Sequence, residues 1–440
     1  MIIRNLTLAI AGAVIAFGGF TATSAQAQKM QEIPALVYRT GPYAPNGVSI
    51  ADGYSDYFTL VNERDGGVNG VKFHVTECDT AYKTDRGVEC YDRIGKGTTV
   101  ISPYSTGITY ALIEKATADK VPILSMGYGR TSAADGRVFP YIFNFPASYW
   151  SQATSIVRYI ADQEGGLNKL KGMNFAFIYL DHPYGREPIP TLDVLAKKFG
   201  FTYDKYPVPT GSMTEQKSIW LQIRRSKPEY AIMWGWGAMN STAVKEAAAI
   251  KFPMDHFIGN WWSGDEADVS PAGEEGKGYK AATFNGVGDQ YFVYADLNQY
   301  VYSKGLAAGS GDRKGRVLYN RGLINAAYVV EAVRTAQAKF GKRVMTGEEV
   351  RWGLENLNLT HEEVKKLGLE GLAPPVHITC ENHEGDHPAI LIQQWNGKNW
   401  EIKSDWIPAM TDVVRPLIEQ DAAQYAKENN ITPRDCQKQS

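Results

Sequence analysis

Apolar positions along this chain fall into short runs separated by stretches with helical periodicity. A run such as 230–234 is apolar throughout and fits a strand that is buried on both faces. Between such runs, apolar residues recur three and four positions apart, as Tyr54, Tyr57, Phe58 and Val61 do. This alternation predicts an α/β fold with parallel, doubly wound sheets.

The predicted elements form one series before Phe145 and a second series after it. Because each series can build its own parallel sheet, the chain predicts two α/β lobes. The predicted strands lie at 35–39, 71–76, 98–101, 121–125, 174–179, 201–206, 230–234 and 256–258. The predicted helices lie at 50–61, 85–94, 106–119, 149–163, 189–199, 215–225 and 240–250.

A hydroxyl-rich turn at 102–107 is the most informative segment of the chain. It connects the strand 98–101 to a helix, and Thr106 takes the position of the helix N-cap. Such a turn presents free backbone N–H groups and side-chain hydroxyls at the positive end of a helix. Open α/β sheets bind ligands at this carboxyl edge. The segment therefore predicts an anion site that suits a carboxylate.

The first 27 residues have the pattern of a secretory signal peptide. Arg4 supplies a positive charge, residues 6–20 are apolar, and Ser24-Ala25-Gln26-Ala27 offers a cleavage site. The alternative is an uncleaved membrane anchor, which the Gly and Ala content and the break at 21–24 disfavour. We therefore expect a soluble, exported protein.

Charge and length narrow the class of protein further. The net charge is −2 over 440 residues, and it becomes −3 without residues 1–27, which hold one arginine and no acid. Because nucleic-acid-binding proteins favour a basic face, we expect no nucleic-acid partner. The 44% hydrophobic content suffices for a large core, and the length favours two domains.

All four cysteines follow the predicted cleavage site. In an oxidising compartment an even number of cysteines indicates disulfides. The simplest pairing is Cys78 with Cys90 and Cys380 with Cys436, although four cysteines allow three pairings. The second bridge would attach the C-terminal segment to the rest of the chain.

Several motifs over residues 34–410 resemble the periplasmic substrate-binding proteins of the branched-chain amino acid class of ABC importers. Each motif is weak by itself, but their order and spacing are fairly specific. The resemblance implies a type I periplasmic-binding fold, in which two lobes joined by three hinge crossings close on a ligand. The motifs are Thr40-Gly41-Pro42-Tyr43-Ala44, Arg64-Asp65-Gly66-Gly67-Val68-Asn69-Gly70, Ser102-Pro103-Tyr104-Ser105-Thr106-Gly107, Val121-Pro122, Asp181-His182-Pro183-Tyr184-Gly185 and Pro228-Glu229-Tyr230-Ala231-Ile232-Met233.

The resemblance also implies lobe boundaries. Lobe one would comprise 28–147 and 282–388, and lobe two would comprise 148–281 and 389–408. The returning segment of lobe two looks like a hairpin around Asn396-Gly397. Residues 409–440 look like a C-terminal extension.

The family's binding positions can be transferred to this chain one residue at a time. The carboxylate-holding positions fall on Ser105 and Thr106 in the turn and on Gly127 and Gly129 after the next strand. Many relatives have threonine where this chain has Gly129, which offers only a backbone N–H. The aromatic residue that closes over the ligand from lobe two falls on Tyr184.

The family's acid for the ligand ammonium should follow Gly259, where this chain has Asn260-Trp261-Trp262. A buried ammonium without a carboxylate is costly, whereas an indole face suits a planar ring or, by cation–π attraction, a quaternary amine. Asp265 or Glu266 is the alternative acid if the loop follows another path.

Aromatic residues are abundant at the predicted strand ends. Among these, Tyr43, Tyr149, Trp236 and Trp261 join the candidate binding residues, although packing alone explains any single one of them. Beside a carboxylate site, they favour a small aromatic carboxylate or a hydrophobic amino acid as the ligand. The expected partner is an inner-membrane ABC permease, which would be the only link of a monomeric, periplasmic protein to the membrane.

Enzymatic alternatives have less support in the sequence. His383-Glu384-Gly385-Asp386-His387 fits H-E-x-x-H, but the internal Gly385 and the following Pro388 predict a loop instead of a zinc-binding helix. The chain lacks a G-x-S-x-G elbow and a P-loop. We therefore expect a binding protein without catalytic residues, metal or cofactor. A sensor subunit for a signalling receptor and an exported hydrolase on this scaffold are the alternatives.

Overall fold

The computed structural model describes residues 30–438, and the predicted signal peptide lies outside them. The strands of this part are β1 (Gln31–Val37), β2 (Phe73–Asp79), β3 (Ile123–Leu124), β4 (Ile142–Phe143), β5 (Asn174–Leu180), β6 (Thr202–Val208), β7 (Tyr230–Trp234), β8 (Phe257–Gly259), β9 (Lys280–Thr283), β10 (Asn358–Leu359), β11 (Val376–His377), β12 (Ala389–Trp395), β13 (Trp400–Ile402) and β14 (Ile407–Pro408). The α-helices are α1 (Ala44–Arg64), α2 (Thr84–Cys90), α3 (Thr106–Ala118), α4 (Tyr149–Glu164), α5 (Pro183–Arg186), α6 (Ile189–Phe199), α7 (Lys217–Ser226), α8 (Ala238–Ala249), α9 (Glu266–Val269), α10 (Val293–Leu297), α11 (Val317–Phe340), α12 (Gly347–Glu355), α13 (His361–Lys366) and α14 (Thr411–Glu428).

The first sheet is parallel and contains β1 to β4. β1 pairs with β2 along its whole length, and β3 pairs with β4. Single bridges from Ala35 to Ser102 and from Ile101 to Ile123 connect the two pairs. We call this sheet and the helices packed on it lobe one. The predicted residue boundaries of both lobes remain predictions.

Helices α1 and α11 of lobe one pack closely because two glycines allow their backbones to approach. A Cβ atom at Gly53 would lie 2.1 Å from the carbonyl oxygen of Tyr319, and one at Gly322 would lie 2.2 Å from that of Ile50. Any larger residue at either position would force these two helices apart. The contact holds α11 in place, and α11 carries side chains that reach the cleft between the lobes.

The second sheet defines lobe two. Its strand order is β13–β12–β9–β8–β7–β5–β6, and the strands from β5 to β9 are parallel to their neighbours. β12 returns antiparallel to β9 and pairs with β13 as the predicted hairpin. The predicted fold class is thereby confirmed, with an antiparallel edge added to the parallel sheet of lobe two.

Several local boundaries differ from the prediction. The predicted strand 98–101 is reduced to single bridges at Ile101 and Ser102, and the predicted helix 50–61 extends over Ala44–Arg64. The N-cap of α3 is Ser105, whose Oγ accepts a hydrogen bond from the Ile108 backbone N–H at 3.4 Å, so Thr106 is the first helical residue. Both residues are good caps, and the sequence pattern does not distinguish neighbouring positions. The predicted helix 85–94 ends as an α-helix at Cys90 and continues as a π-helical turn, Tyr91–Gly95.

The C-terminal segment forms α14, which contacts both lobes. Near its start, the Met410 backbone N–H donates to Thr154 Oγ1 of lobe two at 2.9 Å. Farther along, Asp421 pairs with Arg130 of lobe one. Ala422 belongs to a core cluster of lobe one. No helix among residues 30–438 is long and apolar enough to cross a membrane.

Two disulfides are present, Cys78–Cys90 and Cys380–Cys436. This is the simplest of the three pairings that the sequence allows. The first closes a loop with a sequence separation of 12 inside lobe one, and the second closes one with a separation of 56. The second bridge attaches the segment after α14 to the core.

Replacing both cysteines of one bridge by alanine should destabilise the protein, and the bridge with the longer loop should matter more. The chain-entropy estimate is about 4 kcal/mol for Cys380–Cys436 and about 3 kcal/mol for Cys78–Cys90. Denaturant unfolding of the two double variants measures both losses. An equal or smaller loss for the Cys380/Cys436 variant would contradict the expectation that the longer loop dominates.

Candidate functional site

A small cavity between the two lobes is lined almost entirely by aromatic side chains. The space between its walls is about 210 Å³ when the part that is open to solvent is included. The carboxyl-end loops of strands in both sheets supply its lining, which is where open α/β sheets bind ligands. The lining residues are Tyr82, Tyr104, Thr106, Tyr128, Tyr149, Tyr184, Trp236 and Trp262.

Tyr104 shows how tightly the lining is held. Its backbone φ of 50° lies in the left-handed region, which is strained for a bulky residue. Its N–H donates to Tyr128 Oη at 2.7 Å, its carbonyl accepts from Tyr38 Oη at 3.1 Å, and its hydroxyl accepts from Asn325 Nδ2 at 2.9 Å. These three hydrogen bonds hold both the backbone and the ring of Tyr104 in place. Tyr82, another residue of the lining, also has a positive φ of 62°.

The tyrosine hydroxyls of the lining stay neutral. Burial raises the pKa values of Tyr104, Tyr128, Tyr149 and Tyr184 well above the ordinary value of tyrosine. Tyr184 donates its hydroxyl proton toward the carbonyl of Gly235 at 2.8 Å and Oδ1 of Asn260 at 3.0 Å. None of the eight lining residues therefore carries a charge at neutral pH.

Thr106 is the only non-aromatic residue of the lining. Its Oγ1 accepts a hydrogen bond from the backbone N–H of Gly129 at 3.2 Å and lies 3.5 Å from Tyr149 Oη. Because Thr106 is the first residue of α3, the positive end of that helix adjoins the cavity. A further donor on the lining is Trp236 Nε1, which is buried and forms no hydrogen bond of ordinary geometry within residues 30–438, although the Tyr38 hydroxyl lies beside it.

The two lobes meet at the carbonyl oxygen of Gly127. This oxygen belongs to lobe one and accepts hydrogen bonds from Nε1 of Trp261 at 2.8 Å and from Nε1 of Trp262 at 3.1 Å. The indole of Trp262 then faces the cavity, whereas that of Trp261 packs behind it, 5.0 Å from the ring of Phe284. One backbone acceptor thus fixes the indoles of both Trp261 and Trp262.

Behind Trp262 lies a fully buried arginine, Arg321 of α11. Its guanidinium carbon is 4.7 Å from the ring centre of Trp262 and 4.5 Å from that of Phe284. It donates to the carbonyl oxygen of Trp261 and, from Nε at 3.1 Å and Nη2 at 2.9 Å, to Oδ1 of Asn285. Burial lowers the pKa of Arg321 to about 9, so the guanidinium still carries its charge at neutral pH.

Three acids of lobe two form a second contact with lobe one. Asp265 and Glu266 accept hydrogen bonds at 3.1 Å from the backbone N–H groups of Leu318 and Val317, at the start of α11. Carboxylates are favoured at such a helix N-terminus. Asp268 accepts from Asn46 Nδ2 at 3.1 Å, and burial raises its pKa to about 7.

The structure brings four of the predicted binding residues into the lining, namely Thr106, Tyr149, Tyr184 and Trp236. The other five, Ser105, Gly127, Gly129, Tyr43 and Trp261, surround it. Ser105 caps α3, the Gly129 N–H points to Thr106, and the ring of Tyr43 lies 4.3 Å from that of Tyr82. Their roles in binding a ligand remain predictions. Asp265 and Glu266, the alternative acids for an ammonium, are not among the lining residues.

Sequence reasoning missed Tyr82 altogether and did not assign Tyr104, Tyr128 or Trp262 to the site. Tyr82 follows β2 by three residues, so its position at the carboxyl end of a parallel strand was the available signal. Its left-handed backbone conformation, which turns the ring toward the cleft, has no signature in the residue type. Trp262 was considered only together with its neighbour Trp261.

The segment containing His383 and His387 is a loop, as predicted. The ring of His383 is fully buried and stacks on Phe143 at 3.9 Å, and its Nδ1 lies 2.7 Å from the carbonyl oxygen of Ile142. Its Nε2 lies 3.3 Å from Glu355. This histidine packs inside lobe one, away from the aromatic cavity.

Comparison with known proteins establishes the family. The model of the periplasmic binding protein family matches residues 31–399, and the chain belongs to this family. A structure from the Pseudomonas fluorescens group, described as an ABC transporter permease, is 43% identical with a TM-score of 0.86 and covers 92% of this chain and 99% of its own. Curated protein sequences contain no match.

More distant structures share the fold. A branched-chain amino acid ABC transporter protein from Thermus thermophilus with bound valine is 20% identical, with a TM-score of 0.73, and covers 89% of this chain and 99% of its own. A solute-binding protein from R. palustris in complex with benzoate is 14% identical, with a TM-score of 0.67, and covers 87% of this chain and 97% of its own. They confirm the type I periplasmic-binding fold.

Replacing Gly127 by alanine should damage the contact between the lobes. Gly127 and Gly66 both have a φ of 71°, but a Cβ at Gly127 would lie 2.8 Å from Phe284, whereas nothing lies within 4 Å of one at Gly66. Gly66→Ala therefore reports the backbone strain alone, about 1 kcal/mol. Gly127→Ala should cost at least about 1 kcal/mol more in unfolding free energy, because overpacking adds to the strain. Equal losses would show that the Gly127 contact is not tightly packed.

The raised pKa of Asp268 predicts a specific pH dependence of stability. Between about pH 4 and pH 7 the folded protein holds a proton on Asp268 that the unfolded chain has lost, so this group's contribution to stability falls as pH rises. Asp268→Asn cannot lose this proton. The unfolding free energy of the variant minus that of wild type should therefore rise by more than about 1 kcal/mol from pH 5 to pH 8. The exposed Asp405→Asn variant is the control. A constant difference between Asp268→Asn and wild type would refute the assignment.

Proposed function

We propose that the protein is the solute-binding component of an ABC importer and holds a small aromatic carboxylate between its lobes. The observation that carries this proposal is the interlobe cavity, which combines seven aromatic walls with one helix N-terminus. Flat apolar rings fit such walls by stacking and edge contacts. A carboxylate fits the positive helix end, where α3 begins at Thr106.

The polar groups around the cavity favour an anion as the ligand's head group. Trp236 Nε1 is a buried donor whose neighbouring acceptor is the Tyr38 hydroxyl at poor geometry, and a ligand oxygen would be a better acceptor. The lining contains no carboxylate to pair with an ammonium. Asp265, the nearest alternative acid along the chain, is occupied by the backbone N–H groups of Ala267 and Leu318. An α-amino acid would therefore bury its ammonium without a counter-charge, which is costly.

The relatives are consistent with either ligand class. The valine complex and the benzoate complex share this fold, and a lining without a carboxylate supports the proposal of a benzoate-like ligand. Family membership supports a periplasmic location and delivery of the ligand to an inner-membrane permease. The predicted signal peptide agrees with this location. The ligand would be released chemically unchanged.

Thermal unfolding of the mature protein with a ligand panel tests the proposal. Benzoate, hydroxybenzoates and phenylacetate should raise the unfolding temperature, whereas leucine, isoleucine and valine should not. A ligand at about a hundred times its Kd adds roughly 2.7 kcal/mol of stability, which gives a clear shift. A shift with aliphatic amino acids alone would overturn the aromatic-acid assignment. Turnover of a bound compound, detected as a change in mass, would favour the hydrolase instead.

Trp262→Leu should weaken benzoate binding by about 5-fold, since a stacked ring contributes about 1 kcal/mol beyond its burial. Leucine keeps an apolar side chain but lacks the indole face and the donor to Gly127. Trp406→Leu is the matched control, because Trp406 is 44% exposed and lies in a separate groove beside Pro374. Titration calorimetry of both variants measures the effect. Unchanged affinity in Trp262→Leu would show that this indole does not contact the ligand.

A further inference from the structure

Arg321 is a buried cation that forms no direct ion pair within residues 30–438, and Asp265 and Asp268 stabilise its charge only from a longer distance. No carboxylate oxygen lies within 4.0 Å of its guanidinium among residues 30–438. It also lies in the second turn of α11, near the helix end that carries a positive partial charge, where a cation is disfavoured. Its hydrogen-bond acceptors are neutral, the Trp261 carbonyl and Asn285 Oδ1. Such burial of a charge is expensive.

The position of Arg321 relative to the cavity is specific. The guanidinium stacks on one face of the Trp262 indole at 4.7 Å, and the same indole lines the cavity. An aromatic face normally attracts cations through its quadrupole. Here the guanidinium of Arg321 already occupies one face of the Trp262 ring. A cationic ligand in the cavity would be repelled by the guanidinium of Arg321 across the indole, whereas an anionic ligand would be attracted by it.

We propose that Arg321 acts through Trp262 as a charge-selecting residue, which makes the aromatic cavity accept carboxylates and reject cations of the same shape. This inference rests on the proposed function and adds the origin of its preference for anions. It also separates the two ligands that suit an indole face, a planar aromatic acid and a quaternary amine. Arg321 is a positioning residue in this account, because Trp262 lies between it and the cavity.

The expected size of the effect follows from Coulomb's law. A ligand carboxylate near the start of α3, with its ring against Trp262, would lie roughly 10 Å from the guanidinium, and at an effective dielectric constant of about 20 their interaction changes affinity by about 15-fold. The sign is favourable for an anion and unfavourable for a cation. A neutral ligand of the same shape should be affected little.

Three probes of one shape test this inference: benzoate, benzamide and benzamidinium carry a negative, a zero and a positive charge. Calorimetric Kd values are measured for wild type, Arg321→Gln and Arg321→Lys. Wild type should bind benzoate best and benzamidinium worst. Arg321→Gln should reduce the benzoate preference over benzamidinium by at least about 10-fold, with benzamide little changed, and Arg321→Lys should restore most of it. A purely structural role would instead weaken all three probes together.

The control variant is Arg334→Gln, which removes the same charge from the same helix at an exposed position paired with Glu331. It should leave the order of the three probes unchanged. If wild type binds benzoate but Arg321→Gln keeps the full preference, the inference is wrong and the proposed function stands. If wild type binds benzamidinium as tightly as benzoate, the inference fails whether or not the variant folds. If wild type binds none of the probes, the proposed function fails and takes the inference with it.

Discussion

The carbonyl oxygen of Gly127 is the point on which the site depends. It accepts hydrogen bonds from Trp261 and Trp262, and so one backbone atom of lobe one holds two large side chains of lobe two. A carbonyl has two lone pairs, and both are used here. The arrangement needs glycine at this position, because the backbone is left-handed and the rings of Phe284 and Trp261 leave no room for a Cβ. The closed cleft and its aromatic wall both follow from this contact.

Electrostatics give the closed cleft its chemical character. The tyrosines of the lining are neutral, the acids Asp265 and Glu266 accept hydrogen bonds at the start of α11, and the charge of Arg321 stacks on the lining residue Trp262. The acids therefore hold the lobes together without placing a negative charge in the cavity. We infer that charges which do not touch the ligand adapt a fold that holds valine in one known structure and benzoate in another.

Sequence reasoning succeeded where the local pattern is strong. The runs at 174–179 and 230–234 match β5 and β7 within one residue, because central parallel strands are apolar on both faces. The same reasoning placed Thr106, Tyr149, Tyr184 and Trp236 near the cleft, since the topology directs strand ends there.

The remainder of the site depends on information that local patterns do not contain. Trp261 and Trp262 are neighbours with the same side chain, and only tertiary packing, such as that of Trp261 on Phe284, distinguishes the one that faces the cavity. Tyr82 and Tyr104 reach the lining through left-handed backbone conformations that their residue types disfavour. Arg321 is distant in sequence from every predicted binding residue, and tertiary packing of α11 alone brings it behind Trp262.

The most direct test is to identify the molecule that the protein carries. The protein would be purified from its native periplasm without added ligand and denatured, and the released small molecules would be identified by mass spectrometry. The account predicts one compound per chain with an aromatic ring and a carboxylate and without an ammonium group. Release of an aliphatic α-amino acid or a quaternary amine would contradict it.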